Sequence, residues 1–309
     1  MIRRLVTLSL AALVLASAAS ISTAGRAEAA VNVVTTLPDL GAITREVGGK
    51  NVNVTTLALP TQDPHFVDAK PSLALAVSKA DLLIVVGLDL EIGWLPTLQL
   101  GSRNDKVQTG NKGYLDCSTL VTRLEVPQEK LDRAHGDIHP GGNPHYLYDP
   151  RAAAQVAAGI AARLEQIDPA HDADYKAGLK AFTDKLAAAR ARWEKRLSGV
   201  RGQPVITYHR SWVYLVDWLG LVDAAELEPK PGIPPTSKHV AEVLVAARKA
   251  GAKLILQESY YPDTTSKLLA DKLPAKVVSL PGGADFKGGE GYVEHMDKLI
   301  DAIARALGA

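Results

Sequence analysis

The sequence contains little cysteine and almost no net charge. Cys117 is its only cysteine, so an internal disulfide is excluded and stability has to come from a packed core. Lys and Arg number 35 against 34 for Asp and Glu, and the formal net charge of +1 gives no support to a nucleic-acid partner. With 47% hydrophobic and 22% charged residues, the composition is that of a globular protein, and 309 residues suit two domains.

A long apolar run occurs at the N-terminus, directly after a pair of arginines. It extends from Leu5 to about Ala19, short of the ~20 residues that a membrane-spanning helix needs. Ala27 and Ala29 have the small-residue spacing that a signal peptidase recognises. We therefore expect residues 1–29 to be a cleavable signal peptide rather than a membrane anchor. No cysteine lies near the cleavage point, so lipid attachment is not expected, and a disulfide-free exported chain fits a bacterial periplasm.

Apolar, β-branched runs alternate with helical stretches through the rest of the chain. Strands are predicted at 31–37, 52–59, 81–88, 204–209, 253–259 and 276–281. Helices are predicted at 40–47, 71–80, 151–164, 211–219, 237–250, 263–273 and 290–307. This alternation in two separate blocks predicts an α/β fold with two lobes, each built on a mostly parallel sheet.

Residues 172–197 separate the two blocks and carry an apolar stripe at helical spacing. The stripe consists of Tyr175, Leu179, Phe182, Leu186, Trp193 and Leu197. A helix of this length extends on the order of 40 Å, enough to cross both lobes. A surface helix of one domain is the alternative, but its position between the blocks favours a rigid connecting helix. We expect an N-terminal lobe at 30–167, the linking helix at 168–200 and a C-terminal lobe at 201–309.

Three of the eight histidines lie in distinctive sequence contexts. His65 in TQDPHFVDAKPS and His145 in GGNPHYLYDP each follow a proline, which removes backbone freedom before the imidazole. His209 ends the strand VITYH. Because ligands of parallel α/β sheets bind beyond the carboxyl ends of the strands, all three are expected at one cleft between the lobes. Any one of them alone is more often a structural residue, but three neutral imidazoles together suit zinc and other late transition metals.

The ordered set of DPH with KPS, PHYLYDP and TYHRSWVYL around a long helix resembles the solute-binding proteins of bacterial ABC transporters for zinc, manganese and iron. The resemblance covers nearly the whole mature chain. It implies two α/β lobes joined by a rigid helix, with a metal ion bound in the cleft by His65, His145 and His209. It also implies delivery of the ion to a membrane permease rather than chemistry on a substrate. We expect the protein to act as a monomer.

The same resemblance bears on which metal is carried. Family members tuned to manganese tend to have a carboxylate where this chain has His209, so the resemblance implies zinc, Zn²⁺, as the transported ion. The chain departs from the family at the fourth ligand, which is usually a carboxylate in the segment matching KVVSLPGG, where no acid occurs here. Water, His135, His139 or Glu258 remain open for that position. Glu258 is also consistent with a structural carboxylate that caps the next helix or accepts a hydrogen bond.

The segment 129–144 reads as a loop. His135, Asp137 and His139 in it resemble, in miniature, the histidine- and acid-rich loop of many zinc members. Such a loop captures metal weakly and passes it to the cleft, whereas the alternative is a solvated loop without function.

Other functions remain open at this point. An exported zinc-dependent hydrolase, with Glu258 as general base, is the main alternative, but the chain has no HExxH pair on a helix. A receptor for manganese or for a metal chelate on the same scaffold is the other. The remaining histidines that fall on predicted helices are expected at the surface: His171, His239 and His295.

Overall fold

Strands and helices alternate along the chain in two blocks, which two long helices separate. The structure, a computed structural model, describes residues 30–128 and 139–309. The first block contains β1 (Val31–Thr35), α1 (Pro38–Gly48), β2 (Val52–Thr56), α2 (Pro71–Ser78), β3 (Leu82–Val85), α3 (Leu95–Ser102) and β4 (Tyr114–Asp116). The long helices are α4 (Pro150–Ile167) and α5 (Asp172–Arg196). The second block contains β5 (Pro204–Thr207), α6 (Val213–Leu219), β6 (Val222–Glu226), α7 (Ser237–Ala250), β7 (Leu254–Glu258), α8 (Thr264–Ala270), β8 (Lys276–Leu280) and α9 (Tyr292–Leu307).

Each block folds around a parallel sheet, and the two sheets have equivalent strand orders. The first sheet runs β2-β1-β3-β4 and the second β6-β5-β7-β8. All neighbouring strands pair in parallel. In both sheets the strand order reverses beside the first strand of the block, and ligands of open α/β sheets bind outside that point. The predicted α/β class with two parallel-sheet lobes is confirmed.

The interior strands are apolar on both faces because helices cover both sides of a parallel sheet. β3 (LLIV) is buried throughout, and so is β7 (LILQE). Helix α1 begins at Pro38, where the missing N–H costs nothing, and ends before Gly49, whose φ of 55° stops the helix.

Helix α5 packs against elements of both blocks, as its apolar stripe predicts. Its buried residues are Tyr175, Phe182, Leu186, Ala189 and Trp193. Near its start, a Cβ on Gly178 would stand 2.1 Å from the carbonyl oxygen of Val47 in α1, so only glycine permits this approach. Near its end, Trp193 donates from Nε1 to Asp297 Oδ1 of α9 at 2.6 Å. These contacts support the lobe boundaries 30–167, 168–200 and 201–309, which stay a prediction.

The structure has three short elements where the sequence analysis predicted none: α3, β4 and β6. Both strands lie at sheet edges, where little side-chain surface is buried. β4 has only three residues, and the first residue of β6, Val222, is 50% exposed. The predicted strand 81–88 ends early at Val85 because the next turn leaves the extended conformation.

Some expectations fall outside the described residues or are wrong. The predicted signal peptide, residues 1–29, and the loop residues His135 and Asp137 lie outside the described residues. His295 was expected at the surface but is only 3% exposed, because it lies on the inner face of α9. In residues 30–128 and 139–309, no helix has the length and apolar character to cross a membrane.

Candidate metal centre

The three predicted histidines meet in space. His65 lies in the segment after β2, His145 stands just before the turn that leads into α4, and His209 lies two residues beyond β5. Their ring centroids are 5.4 Å apart for His65 and His145, 5.3 Å for His65 and His209, and 5.4 Å for His145 and His209. One ligand nitrogen from each lies within 4.8 Å of the others. A tetrahedral zinc site therefore needs side-chain adjustments of only about 1 Å.

A fourth imidazole, that of His139, lies beside this group and close to His65, although the compact set of ligand atoms does not include it. Its Nε2 lies 3.3 Å from His65 Nε2, and its ring centroid is 6.3 Å from that of His145. Zinc–imidazole bonds of about 2.0–2.1 Å in tetrahedral geometry set two ligand nitrogens about 3.3–3.4 Å apart. The spacing of His65 and His139 is thus that of two ligands of one zinc ion.

Three of these four rings are oriented through their Nδ1 atoms. His65 Nδ1 donates to Asp63 Oδ1 at 2.7 Å, and His209 Nδ1 donates to Glu228 Oε2 at 2.6 Å. His139 Nδ1 donates to the carbonyl oxygen of Leu88 at 2.8 Å. A proton held on Nδ1 leaves the Nε2 lone pair free for a metal ion, and such partners are typical of histidines that bind zinc.

His145 has an unsatisfied nitrogen at the centre of the group. Its Nε2 is inaccessible to solvent and has no hydrogen-bond partner among the described residues. The backbone of this residue is fixed, since its N–H donates to Asn143 Oδ1 at 3.0 Å. A buried polar atom without a partner is costly unless something absent from the protein itself binds it.

The environment sets different pKa directions for the histidines. Burial and the neighbouring imidazoles lower the pKa of His145 well below its usual value, and burial and His65 lower the pKa of His139 to about 4. Burial acts in the same direction on His209. However, the hydrogen bond and charge of Glu228, with the charges of Glu258 and Asp63, outweigh burial and raise the pKa of His209. His139 and His145 are therefore neutral, ready to bind metal, at physiological pH.

Glu258, the predicted candidate for the fourth ligand, lies at the end of β7 and is completely buried. Its Oε1 accepts hydrogen bonds from Ser211 Oγ and, at 3.3 Å, from Tyr148 Oη. Burial raises the pKa of Glu258, although Ser211 and the charge of His209 oppose this. Its Oε2 is buried without a hydrogen-bond partner among the described residues. Within the described part of the chain, the compact group of ligand atoms contains His65, His145 and His209, and neither His139 nor Glu258.

A cavity of about 260 Å³ opens beside the histidines. Its lining includes Glu125, His139, Asn143, His145, His209, Arg210 and Pro231. Arg210 pairs with Glu125 and with Glu226 at its rim. The cavity offers an ion a path from solvent to the imidazoles.

Comparison with known proteins shows which protein family this chain matches. The family described as ZnuA, zinc-uptake complex component A, periplasmic, matches residues 33–306.

The chain belongs to this family.

Its relatives include the metal ABC transporter substrate-binding lipoprotein ScbA of Streptococcus cristatus, which is 27% identical over 291 residues, 90% of this chain and 89% of ScbA. The zinc-binding lipoprotein AdcA of Streptococcus pneumoniae is 24% identical over 90% of this chain, which spans 56% of AdcA. A crystal structure of ZnuA has a TM-score of 0.74 at 24% identity, over 90% of this chain and 99% of that one. At this identity, the structural likeness concerns the fold.

Sequence reasoning missed the residues that orient the ligands. Asp63 belongs to the DPH motif, two residues before His65, and this spacing is a usable signal because an Asp side chain readily reaches the backbone two residues on. Glu228 belongs to the proline-rich segment EPKPGIPP, and it also accepts from the Gly232 N–H at 3.0 Å. No local pattern connects Glu228 with His209.

Proposed function

We propose that this protein binds one zinc ion with four imidazoles and delivers it to the membrane permease of an ABC importer. The observation that carries the proposal is the convergence of four histidines, and five of their six pairs have ring centroids 5.3–6.3 Å apart: His65, His139, His145 and His209. Membership of a family described as a periplasmic zinc-uptake component agrees with this function.

Zinc is the ion that this set of ligands favours. Imidazole nitrogen suits zinc and copper, whereas manganese prefers carboxylate, carbonyl and water oxygens. The four rings supply nitrogen donors only, and the acids Asp63 and Glu228 contact the histidines through Nδ1. We therefore propose zinc rather than manganese as the cargo, with manganese as the competitor to test.

We propose His139 rather than Glu258 as the fourth ligand. The Nε2 of His139 is 3.3 Å from that of His65, at the spacing of two zinc ligands. Glu258 Oε2 has no partner among the described residues, but Ser211 and Tyr148 hold the carboxylate through Oε1. In this arrangement, Glu258 supports the residues that follow His209.

The same arrangement favours binding over catalysis. A catalytic zinc ion has three protein ligands and an open position for water, whereas a closed four-ligand site has none. With His139 in the fourth position, no site on the ion is left for a catalytic water. We infer that the protein is exported to the periplasm, that residues 1–29 direct this export, and that it meets the permease as a monomer.

The first experiment is metal analysis of the purified mature protein, followed by zinc titration in competition with a chelator. One zinc ion per chain is expected, and manganese is expected not to displace it. His145→Ala should weaken zinc binding strongly with little change in circular dichroism, since it removes a ligand and not a core residue. His171→Ala, outside the group, is the control. Unchanged affinity in His145→Ala would contradict the site assignment.

A further inference from the structure

The turn after β3 has an unusual backbone next to the metal centre. Gly87, Leu88 and Asp89 have φ angles of 84°, 54° and 62°, which places three successive residues in the left-handed region. Glycine adopts this region freely, but Leu88 and Asp89 carry side chains that disfavour it. Such conformations persist only where neighbouring groups hold them, and they cluster at functional sites.

Backbone hydrogen bonds from Leu90 to Gly87 and from Ile92 to Asp89 close this turn, and the carboxylate of Glu91, which is 4% exposed, holds its start. Its Oε1 accepts from the Val86 N–H at 2.8 Å and from Thr36 Oγ1 at 2.6 Å, and its Oε2 accepts from the Gly87 N–H at 3.1 Å. Burial raises the pKa of Glu91 to about 7, and these three hydrogen bonds act in the opposite direction. The backbone N–H groups of Val86 and Gly87 can only donate, one to each oxygen, so the turn requires an acceptor on both oxygens.

Leu88, in the middle of the turn, contacts the His139 segment twice. Its carbonyl oxygen accepts from His139 Nδ1 at 2.8 Å. Its Cδ2 lies 2.7 Å from the point where a Cβ on Gly141 would stand, so the absence of a side chain there admits the leucine. The carbonyl keeps the His139 proton on Nδ1 and points the Nε2 lone pair towards His65.

We propose that Glu91 is a positioning residue for the metal ligand His139. By holding the left-handed turn, Glu91 directs the Leu88 carbonyl that sets the orientation and tautomer of the His139 ring. Glu91 acts through the backbone of the turn. The inference rests on the proposed function, because it takes His139 as a zinc ligand.

A double-mutant cycle on zinc affinity tests the coupling. Zinc is titrated against a chelator into the wild type, Glu91→Gln, His139→Ala and the double variant. Glu91→Gln presents an amide N–H₂ to a donor, and we expect it to weaken zinc binding about tenfold, at the lower end for partners of metal ligands. In the His139→Ala background, the same change should cost no more than about twofold, because the ring it positions is gone.

Asp168→Asn provides a matched control. Asp168 is a buried carboxylate, 9% exposed, that accepts hydrogen bonds from Tyr175 Oη and His171 Nδ1 away from the metal centre. The Asp168→Asn variant should have a lower midpoint of unfolding and an unchanged zinc affinity. This result separates a loss of stability from a loss of His139 positioning. An equal loss of affinity from Glu91→Gln in both His139 backgrounds, or no loss in the wild-type background, overturns the proposal.

A second measurement needs no variant and remains available if Glu91→Gln does not fold. Nitrogen-15 spectra of the zinc-free protein should show the His139 proton on Nδ1, and a proton on Nε2 overturns the proposal.

The outcomes of these experiments also separate the four-histidine zinc site from the positioning role of Glu91. If His139→Ala binds zinc like the wild type, the four-histidine site is wrong and this inference falls with it. If His139→Ala is impaired and Glu91→Gln is not, only the positioning role is wrong.

Discussion

The substitution His139→Ala distinguishes a site of four imidazoles from a site of three imidazoles completed by water. His139 brings its Nε2 to 3.3 Å from that of His65, and a single hydrogen bond to the Leu88 carbonyl orients its ring. Alanine removes the nitrogen and leaves room for a water molecule beside the cavity. The remaining three histidines keep their own partners, so the ion is still bound, but less tightly.

The size of the loss can be worked out from the ligand set. Zinc binding to four protein ligands is worth roughly 10–16 kcal/mol, or about 2.5–4 kcal/mol for each ligand if they share it evenly. A water molecule that enters the empty position regains part of this. We therefore expect a net loss of about 2–3 kcal/mol, which is roughly a 30- to 150-fold rise in the zinc dissociation constant.

The assay is competition with a zinc chelator of matched affinity, with one zinc ion per chain expected in both proteins. His171→Ala serves as the control, since His171 bonds to Asp168 outside the metal centre, and should change the constant by less than about twofold. An unchanged constant for His139→Ala would refute the fourth-ligand assignment. A large loss in Glu258→Gln, in that event, would transfer the role to Glu258.

Three further predictions follow from the pKa directions and the packing. Zinc binding near pH 6.5 should release protons, because the raised pKa of His209 favours its protonated ring there and the metal needs the ring neutral. Calorimetry in buffers of different ionisation enthalpy measures the release, and Glu228→Gln should reduce it. The metal-free protein should lose stability as the pH falls from 6.5 towards about 4, because the lowered pKa values of His139 and His145 let the unfolded chain bind more protons than the folded one. The raised pKa of His209 contributes with the opposite sign. Urea unfolding across this pH range measures the loss, and alanine at His139 and His145 should flatten the dependence of stability on pH. Phe182→Ala in α5, at 1% exposure, should cost about 3–5 kcal/mol in urea unfolding without changing zinc stoichiometry.

The accuracy of the sequence-based description depends on how much each element buries. Interior strands such as β3 and β7 are wholly apolar or nearly so, and the apolar stripe of α5 faces both blocks, so these elements were predicted correctly. The strands β4 and β6 were missed because edge strands bury little, and VDAAE in β6 carries almost no apolar signal. The burial of His295 was missed although its position three residues after Tyr292 and four before Leu299 places it on the apolar face of α9.

The sequence by itself predicted the α/β class, the two lobes and the long helix, and it singled out three histidines that the structure brings together. It could do so because each of these signals is local: an apolar period, a proline before an imidazole, a histidine at a strand end. Only the tertiary structure decided the rest. His139 meets His65 across 74 positions of the chain, and Glu228 meets His209 across 19. The approach of His139 to His65 depends on where the turn at Leu88 and the segment before His145 lie over the sheet. That placement results from backbone hydrogen bonds and burial between distant segments, and no residue pattern within one segment encodes it.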